Sequence, residues 1–133
     1  MALLKGDAGF PTIPTLTGKL AAGTTAPLIY PSTYFGCTID CAWYLEIHPI
    51  SAQRMRLIHG SMFPRAMTER PDFEDIAKNY YKRWDITIEE DNLACELQQK
   101  GLNSPFALPG RFSYREPLVH QIDNWVLDRV LDT

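Results

Sequence analysis

The chain has little that a self-contained catalyst or a secreted scaffold would need. Its three cysteines, Cys37, Cys41 and Cys95, are an odd number with no framework spacing. That argues against a disulfide-stapled secreted domain and for a reducing cytoplasm. No Cys-x-His or Cys-x-x-His pair occurs, so an iron–sulfur cluster held by two cysteines and two histidines is excluded. The three histidines, His48, His59 and His120, stand far apart in sequence. There is no Gly-rich phosphate loop, nucleophile elbow or His-Glu-x-x-His motif. The longest uncharged stretch, Leu20 to Ile39, is broken by Gly, Pro, Thr and Tyr and is no membrane span. The N-terminal apolar run is too short for a signal peptide. A net charge of -3 offers no electrostatic footprint for nucleic acid.

What is present suits one domain with a modest core: 133 residues, 45% hydrophobic and 11% aromatic. Residues 1–27 are rich in Gly, Pro and Thr and lack a helical period. They are expected to form an extended lead-in, with Pro11, Pro14 and Pro27 suited to a strap rather than a central strand. From Leu28 the texture changes. Leu28–Asp40, Cys41–His48 and Arg54–Phe63 carry strand residues, with Pro49–Gln53 as the turn between the last two. Cys37 and Cys41, four apart, are expected to share a face as small core residues.

After Pro64 the pattern becomes helical. Pro71 suits a first helical turn. Phe73, Ile76, Ala77, Tyr80 and Trp84 then form one apolar stripe. A second helix is expected over about Thr87–Lys100, opened by the capping box Thr87-Ile88-Glu89-Glu90 and stopped by Gly101 in the left-handed conformation. Residues 102–114 form a loop. Glu116-Pro117 opens a last helix, with Leu118, Val119, Ile122, Trp125, Val126 and Val130 as its buried face. Strands followed by helices indicate α+β, with helices packed on one face of an antiparallel sheet.

Asp91 stands out on the helical wheel. Glu89, Asn92, Glu96, Gln99 and Lys100 make the wet arc, and Asp91 lies with Ala94 and Gln98 on the opposite side. A carboxylate there needs a partner, because an unpaired buried charge is very costly. The bland alternatives are a favourable helix dipole or a pairing with Arg56 or Arg111.

The order Glu90-Asp91, Cys95-Glu96, Gln99-x-Gly101-Leu102, Ser104-Pro105, Gly110-Arg111-Phe112-Ser113, Glu116 and Trp125 resembles the C-terminal end of Rieske non-haem iron oxygenase large subunits. Phe10-Pro11, Pro14, Tyr30-Pro31 and Ile47-His48-Pro49-Ile50-Ser51 fit the same family, so the likeness covers most of the chain. The resemblance implies a helix-grip (START-like) fold, only part of which is present, with residues 28–133 as the C-terminal portion of the catalytic domain. It implies an Fe(II) held by two histidines and one carboxylate, a triad that leaves positions open for dioxygen. The family's aspartate ligand carries over to Asp91. Cys95, Gln98, Trp43, Tyr44 and Phe63 are the residues expected near a substrate pocket.

The family's paired-histidine motif is missing, as is the domain that carries the 2Fe-2S cluster. With the turn centred near Ser51, His48 and His59 would sit about five residues apart along the ladder. That is roughly 17 Å, too far for one metal. The implied activity is oxygen insertion, hydroxylation or demethylation of a small organic substrate. Electrons would come from a Rieske-bearing chain and a reductase. The chain alone is expected to be inactive, and its truncated sheet to favour a homo-oligomer. Two other functions fit the residues. One is a stand-alone helix-grip domain that binds a small hydrophobic ligand without iron. The other is an interaction subunit that completes a partner's sheet.

Overall fold

Aromatic and β-branched residues between positions 28 and 62 build four antiparallel strands in the computed structural model, which describes residues 3–131. They are β1 (Leu28–Ile29), β2 (Thr33–Cys37), β3 (Ala42–Ser51) and β4 (Arg54–Met62), paired in that order. Helices α1 (Arg65–Thr68), α2 (Phe73–Leu102) and α3 (Pro117–Leu131) follow. The fold is therefore α+β, with the strands before the helices. The outermost residues of the two expected segments, 1–2 and 132–133, lie outside the described residues.

The expected strand over Leu28–Asp40 is two strands. The break falls at Tyr30–Ser32, where Pro31 has no N–H to donate to a ladder. The hairpin after it is longer and tighter than expected. β3 runs through Pro49 to Ser51 with an irregularity there, and only Ala52 and Gln53 turn the chain. The register consequently pairs His48 with Arg56 and Leu45 with His59, not His48 with Arg54.

The chain divides into two units, Met1–Gln98 and Gln99–Thr133. The first owns the core. Phe10, Cys41, Met67, Ala77 and Tyr80 are buried, with Leu3, Phe63, Phe73 and Ile76 packed against them. Phe10 comes from the lead-in, and its ring lies 5.2 Å from Phe63, 5.6 Å from Phe73 and 5.5 Å from Tyr80. The lead-in is otherwise a strap, as its exposed prolines suggest. The Ile13 N–H donates to the Ile39 carbonyl at 2.7 Å, and Thr25 and Cys37 exchange two backbone bonds. A short 3-10 turn, Gly18–Ala21, interrupts it. Cys37 and Cys41 do not share an environment: Cys37 is exposed at the end of β2, and Cys41 is buried ahead of β3. No disulfide joins the three thiols.

Helix α2 corrects the helical reading. The expected break before Thr87 does not occur, and thirty residues form one helix. The Thr87 hydroxyl donates to the Arg83 carbonyl at 2.9 Å, one turn back, instead of capping a new N-terminus. No Gly or Pro interrupts Trp84–Glu90, and a Thr inside a helix satisfies its hydroxyl in this way. Gly101 is also helical; the glycines with positive φ are Gly6 and Gly18. At the other end Pro71 precedes the helix. Arg70 donates two hydrogen bonds to the Asp72 carboxylate, at 2.8 and 2.7 Å. Glu74 and Asp75 in the first turn favour the dipole. The stripe Phe73, Ile76, Ala77, Tyr80 and Trp84 is the face that packs, as its spacing predicts.

The second unit has no buried residue among those described. Pro117 opens α3 as expected. Its apolar face is not covered, however: Ile122 and Trp125 are half-buried, while Leu118, Val119, Val126 and Val130 are exposed. Thirty-odd residues with one α3 and one helix end supply too little surface to bury such a face.

Candidate functional site around helix α2

Cross-strand pairs are on one face of a sheet, so the register sorts the residues above and below it. Trp43, Leu45, Ile47, His59 and Ser61 share the face toward α2, because Trp43 pairs with Ser61 and Leu45 with His59. Tyr44, Glu46, His48, Ile58 and Gly60 share the other face. On the first face Trp84 of α2 docks between two sheet residues. Its ring centre is 4.7 Å from that of Trp43 and 4.4 Å from that of His59. Trp43 in turn lies flat across Gly36, where any Cβ would collide with its indole.

Trp84 sets the direction of everything beyond it on the same continuous helix. Asp91 follows Trp84 by seven residues and Phe73 by eighteen. At about 100° per residue those separations return to nearly the same direction. Asp91 therefore lies on the core stripe, roughly 10 Å beyond Trp84 at about 1.5 Å per residue. The wheel placed it on the buried side, but here it is exposed, together with every residue from Glu89 to Gln98. Its carboxylate has no hydrogen bond or ion pair with any described residue. Neither Arg56 nor Arg111 pairs with it.

The other expected site residues are dispersed. Cys95 and Gln98 are exposed on α2. Trp43 is on the α2 side of the sheet, and Tyr44 is on the opposite side, against Phe35 and over Gly60. Phe63 is a core ring, with Phe10 at 5.2 Å, Tyr80 at 5.3 Å and Phe73 at 5.4 Å. The cavity beside Trp43, Cys41, Tyr80 and Trp84 measures about 10 Å³, roughly room for one water. A broad open groove of about 420 Å³ runs along α2 past Asp85, Ile88, Glu89, Asn92, Leu93 and Glu96. Asp91 is not among its walls.

His48 and His59 do not converge. His48 and His59 are about three residues apart along the ladder, roughly 10 Å at 3.3 Å per residue, and on opposite faces. The separation is shorter than the sequence suggested, but the faces still keep one metal from touching both. His48 Nε2 lies 3.0 Å from Glu46 Oε2. His120 is exposed on α3, with Asn124 Nδ2 3.4 Å from its Nε2. Among the described residues no three His, Cys, Asp or Glu side chains group to hold a metal.

Two features near Trp84 were invisible before the register was known. The Nε1 of Trp43, Nε2 of His59 and Oγ of Ser61 are buried with no hydrogen-bond partner among the described residues. Burial holds His59 below the usual histidine range, and Asp85 works in the opposite direction. The second feature is a polar knot at the strap. Tyr80 donates to Asp40 and accepts from the Phe10 N–H, and Thr38 joins Asp40 to Cys41. Burial pushes the Cys41 thiol up to about 11, which leaves it protonated and unreactive at neutral pH.

No helix among the described residues is long and apolar enough to cross a membrane. No curated protein and no solved structure matches the chain. The family model described as "Ring hydroxylating alpha subunit (catalytic domain)" matches residues 3–132, nearly the whole sequence. This chain belongs to the catalytic-domain family of ring-hydroxylating oxygenase alpha subunits.

Proposed function

We propose that this chain is the C-terminal part of a Rieske-type non-haem iron oxygenase catalytic domain and that Asp91 is its contribution to the iron centre. The observation that carries the reading is the unpaired carboxylate of Asp91, in line with the packed face of α2 two turns beyond Trp84. An exposed acid usually points to solvent with no fixed direction. This one continues a stripe of side chains that all pack toward the sheet, so a covering layer over that end of α2 would enclose it. Enclosed and unpaired, a carboxylate is costly unless a cation meets it.

On this reading the two histidine ligands and the 2Fe-2S cluster come from outside these residues, since His48 and His59 lie on opposite faces of the sheet and the sequence has no paired-histidine motif. The reaction in the complete enzyme is oxygen insertion, hydroxylation or demethylation, with electrons passed from a Rieske centre that a reductase serves. Residues 28–133 form the oxygenase portion of a helix-grip domain. Residues 1–27 form a lead-in strap that lends Phe10 to the core. The setting is cytoplasmic.

The test expresses this sequence joined to its in-frame upstream coding region and measures iron per polypeptide. Asp91→Ala should lose the mononuclear iron and keep the fold. Iron retained at the wild-type level in that variant would sink the assignment.

A further inference from the structure

Oxidisable rings run back along α2 from the Asp91 end to the strap. Tyr80 precedes Trp84 by four residues, one turn away on the same face. The two rings line one small cavity together with Trp43 and Cys41. Trp84 and Tyr80 are 6% and 5% exposed, so neither is open to a dissolved oxidant. The two residue types differ in what the loss of one electron leaves behind. An indole becomes a cation unless its N–H finds an acceptor. The Nε1 of Trp43 is buried with no partner among the described residues, so an oxidised Trp43 is an unpaired buried charge, which is costly. Tyr80 is arranged differently. Its hydroxyl donates to Oδ2 of Asp40 across 2.5 Å. The Thr38 hydroxyl holds Oδ1 of that carboxylate at 2.8 Å, and the Phe10 N–H sits on the phenol oxygen at 2.8 Å. Burial, reinforced by the bond to Asp40, holds the phenol above its usual range, so its proton does not leave ahead of an electron.

We propose that Tyr80 is a proton-coupled redox residue, which gives up one electron through Trp84 to an oxidant at the Asp91 end of α2 while its proton passes to Asp40. The phenol O–H bond breaks, an O–H bond forms on Oδ2 of Asp40, and the oxidant is reduced by one electron. Phenol and carboxylate become a neutral phenoxyl and a neutral acid. The pair therefore ends with one negative charge fewer and no buried cation, which is why the vacancy left by the electron settles on Tyr80 and not on Trp43. The Phe10 N–H still meets the phenoxyl oxygen, and the proton returns along the same hydrogen bond when a one-electron reductant restores the electron. The oxidant is of the class an oxygenase family works with, an oxygen-derived species that accepts single electrons. Tyr80 would draw a stray oxidising equivalent away from the substrate end of α2. The inference does not rest on Asp91 binding iron, and its experiment supplies the oxidant from outside.

Cys95 is exposed on α2, one turn beyond Asp91, whereas Cys41 is buried. With Cys37→Ser removing the other exposed thiol, a ruthenium polypyridyl photo-oxidant is attached to Cys95 of the full chain. Flash oxidation should give a neutral tyrosyl radical by electron paramagnetic resonance, formed more slowly in heavy water than in light water. Tyr80→Phe should lose that radical. Trp84→Phe should lose it as well, although it leaves the Tyr80–Asp40 hydrogen bond in place. Asp40→Asn should slow its formation by about 100-fold or more, the usual contribution of a positioned proton acceptor. The heavy-water comparison uses the native Tyr80 and Asp40, so it stands apart from the folding of any variant at those positions. A radical that persists in Tyr80→Phe or in Trp84→Phe overturns the proposal. So does a rate indifferent to heavy water or to Asp40→Asn.

Discussion

The hydroxyl of Tyr80 donates to Oδ2 of Asp40 across 2.5 Å. The Tyr80 hydroxyl oxygen in turn accepts the Phe10 N–H at 2.8 Å. One buried phenol thus ties the strap, the turn before β3 and helix α2 together. Tyr80→Phe keeps the ring stack and removes only the oxygen. It leaves the Phe10 N–H without a partner and Asp40 with one donor fewer. An unmet buried donor costs about 1–3 kcal/mol. The midpoint of urea unfolding should therefore fall without a change in slope. An unchanged midpoint would mean that water replaces the phenol freely and that the strap is held by Phe10 alone.

The continuity of α2 gives a sharper test. If a helix began at Thr87, Ile88 would be its first residue, where proline is welcome. Inside one long helix Ile88→Pro deletes a backbone bond and clashes with the preceding turn, at about 3 kcal/mol or more. Thr87→Ala should be near neutral in a continuous helix, because alanine's better helix propensity offsets the lost hydroxyl bond, against a loss of about 1 kcal/mol for a removed N-cap. The expected pair of results is a severe loss for Ile88→Pro and a near-neutral Thr87→Ala. The reverse pair in thermal melts would mean two helices.

How much of this was legible beforehand depends on whether a signal was local. The stripe Phe73, Ile76, Ala77, Tyr80 and Trp84 was readable, because helical spacing and burial coincide there. The α+β order was readable for the same reason. The Thr87 capping box misled because its pattern describes a helix start only where the chain before it is not already helical. The hairpin register was lost to Pro49, Ile50 and Ser51, which look like a turn but continue β3. A shift of two residues keeps each side chain on its face, so the α2 side of the sheet was recoverable while its cross-strand partners were not. Phe10 was unreadable as core, since its partners Phe63, Phe73 and Tyr80 are remote in sequence. Asp91's direction was legible from the wheel. Its exposure was not, because periodicity reports where a side chain points and not what covers it.

Asp91 itself should be silent in stability. It is exposed and unpaired, so Asp91→Ala should change the folding free energy of this chain by no more than about 0.5 kcal/mol. That null effect would exclude a structural role for the carboxylate. A loss of more than about 1 kcal/mol would reveal a partner for the carboxylate and make its role structural.

Gly36 is required by Trp43. A Cβ at position 36 would fall inside the indole ring that lies across it. Gly36→Ala must push Trp43 aside, and through it Trp84, 4.7 Å away. Overpacking of this kind costs about 1–3 kcal/mol. Tryptophan fluorescence should shift along with the loss of stability. An unaltered spectrum with unaltered stability would show that the indole has another place to go.

His59 gives the chain a dependence on pH with a definite sign. Its Nε2 is buried without a partner among the described residues, and burial lowers its pKa from the usual 6.5. Above 6.5 both folded and unfolded chains hold it neutral, and it contributes no slope. As pH falls below 6.5 the unfolded chain takes up a proton that the folded chain still refuses. Stability must then fall until the folded pKa is reached, and level off below it. Asp85 limits the size of the effect, because its charge favours the protonated ring. His59→Gln removes the titration and retains a polar side chain beside Trp84. Subtracting its unfolding free energies from those of the wild type, between neutral pH and pH about 5, isolates this group from the carboxylates that titrate lower. The difference should be flat above 6.5 and should shrink in magnitude as the wild type loses stability on acidification. A difference that grows in favour of the wild type toward low pH would mean that the folded chain protonates His59 more readily than the unfolded one, with Asp85 and not burial setting its charge.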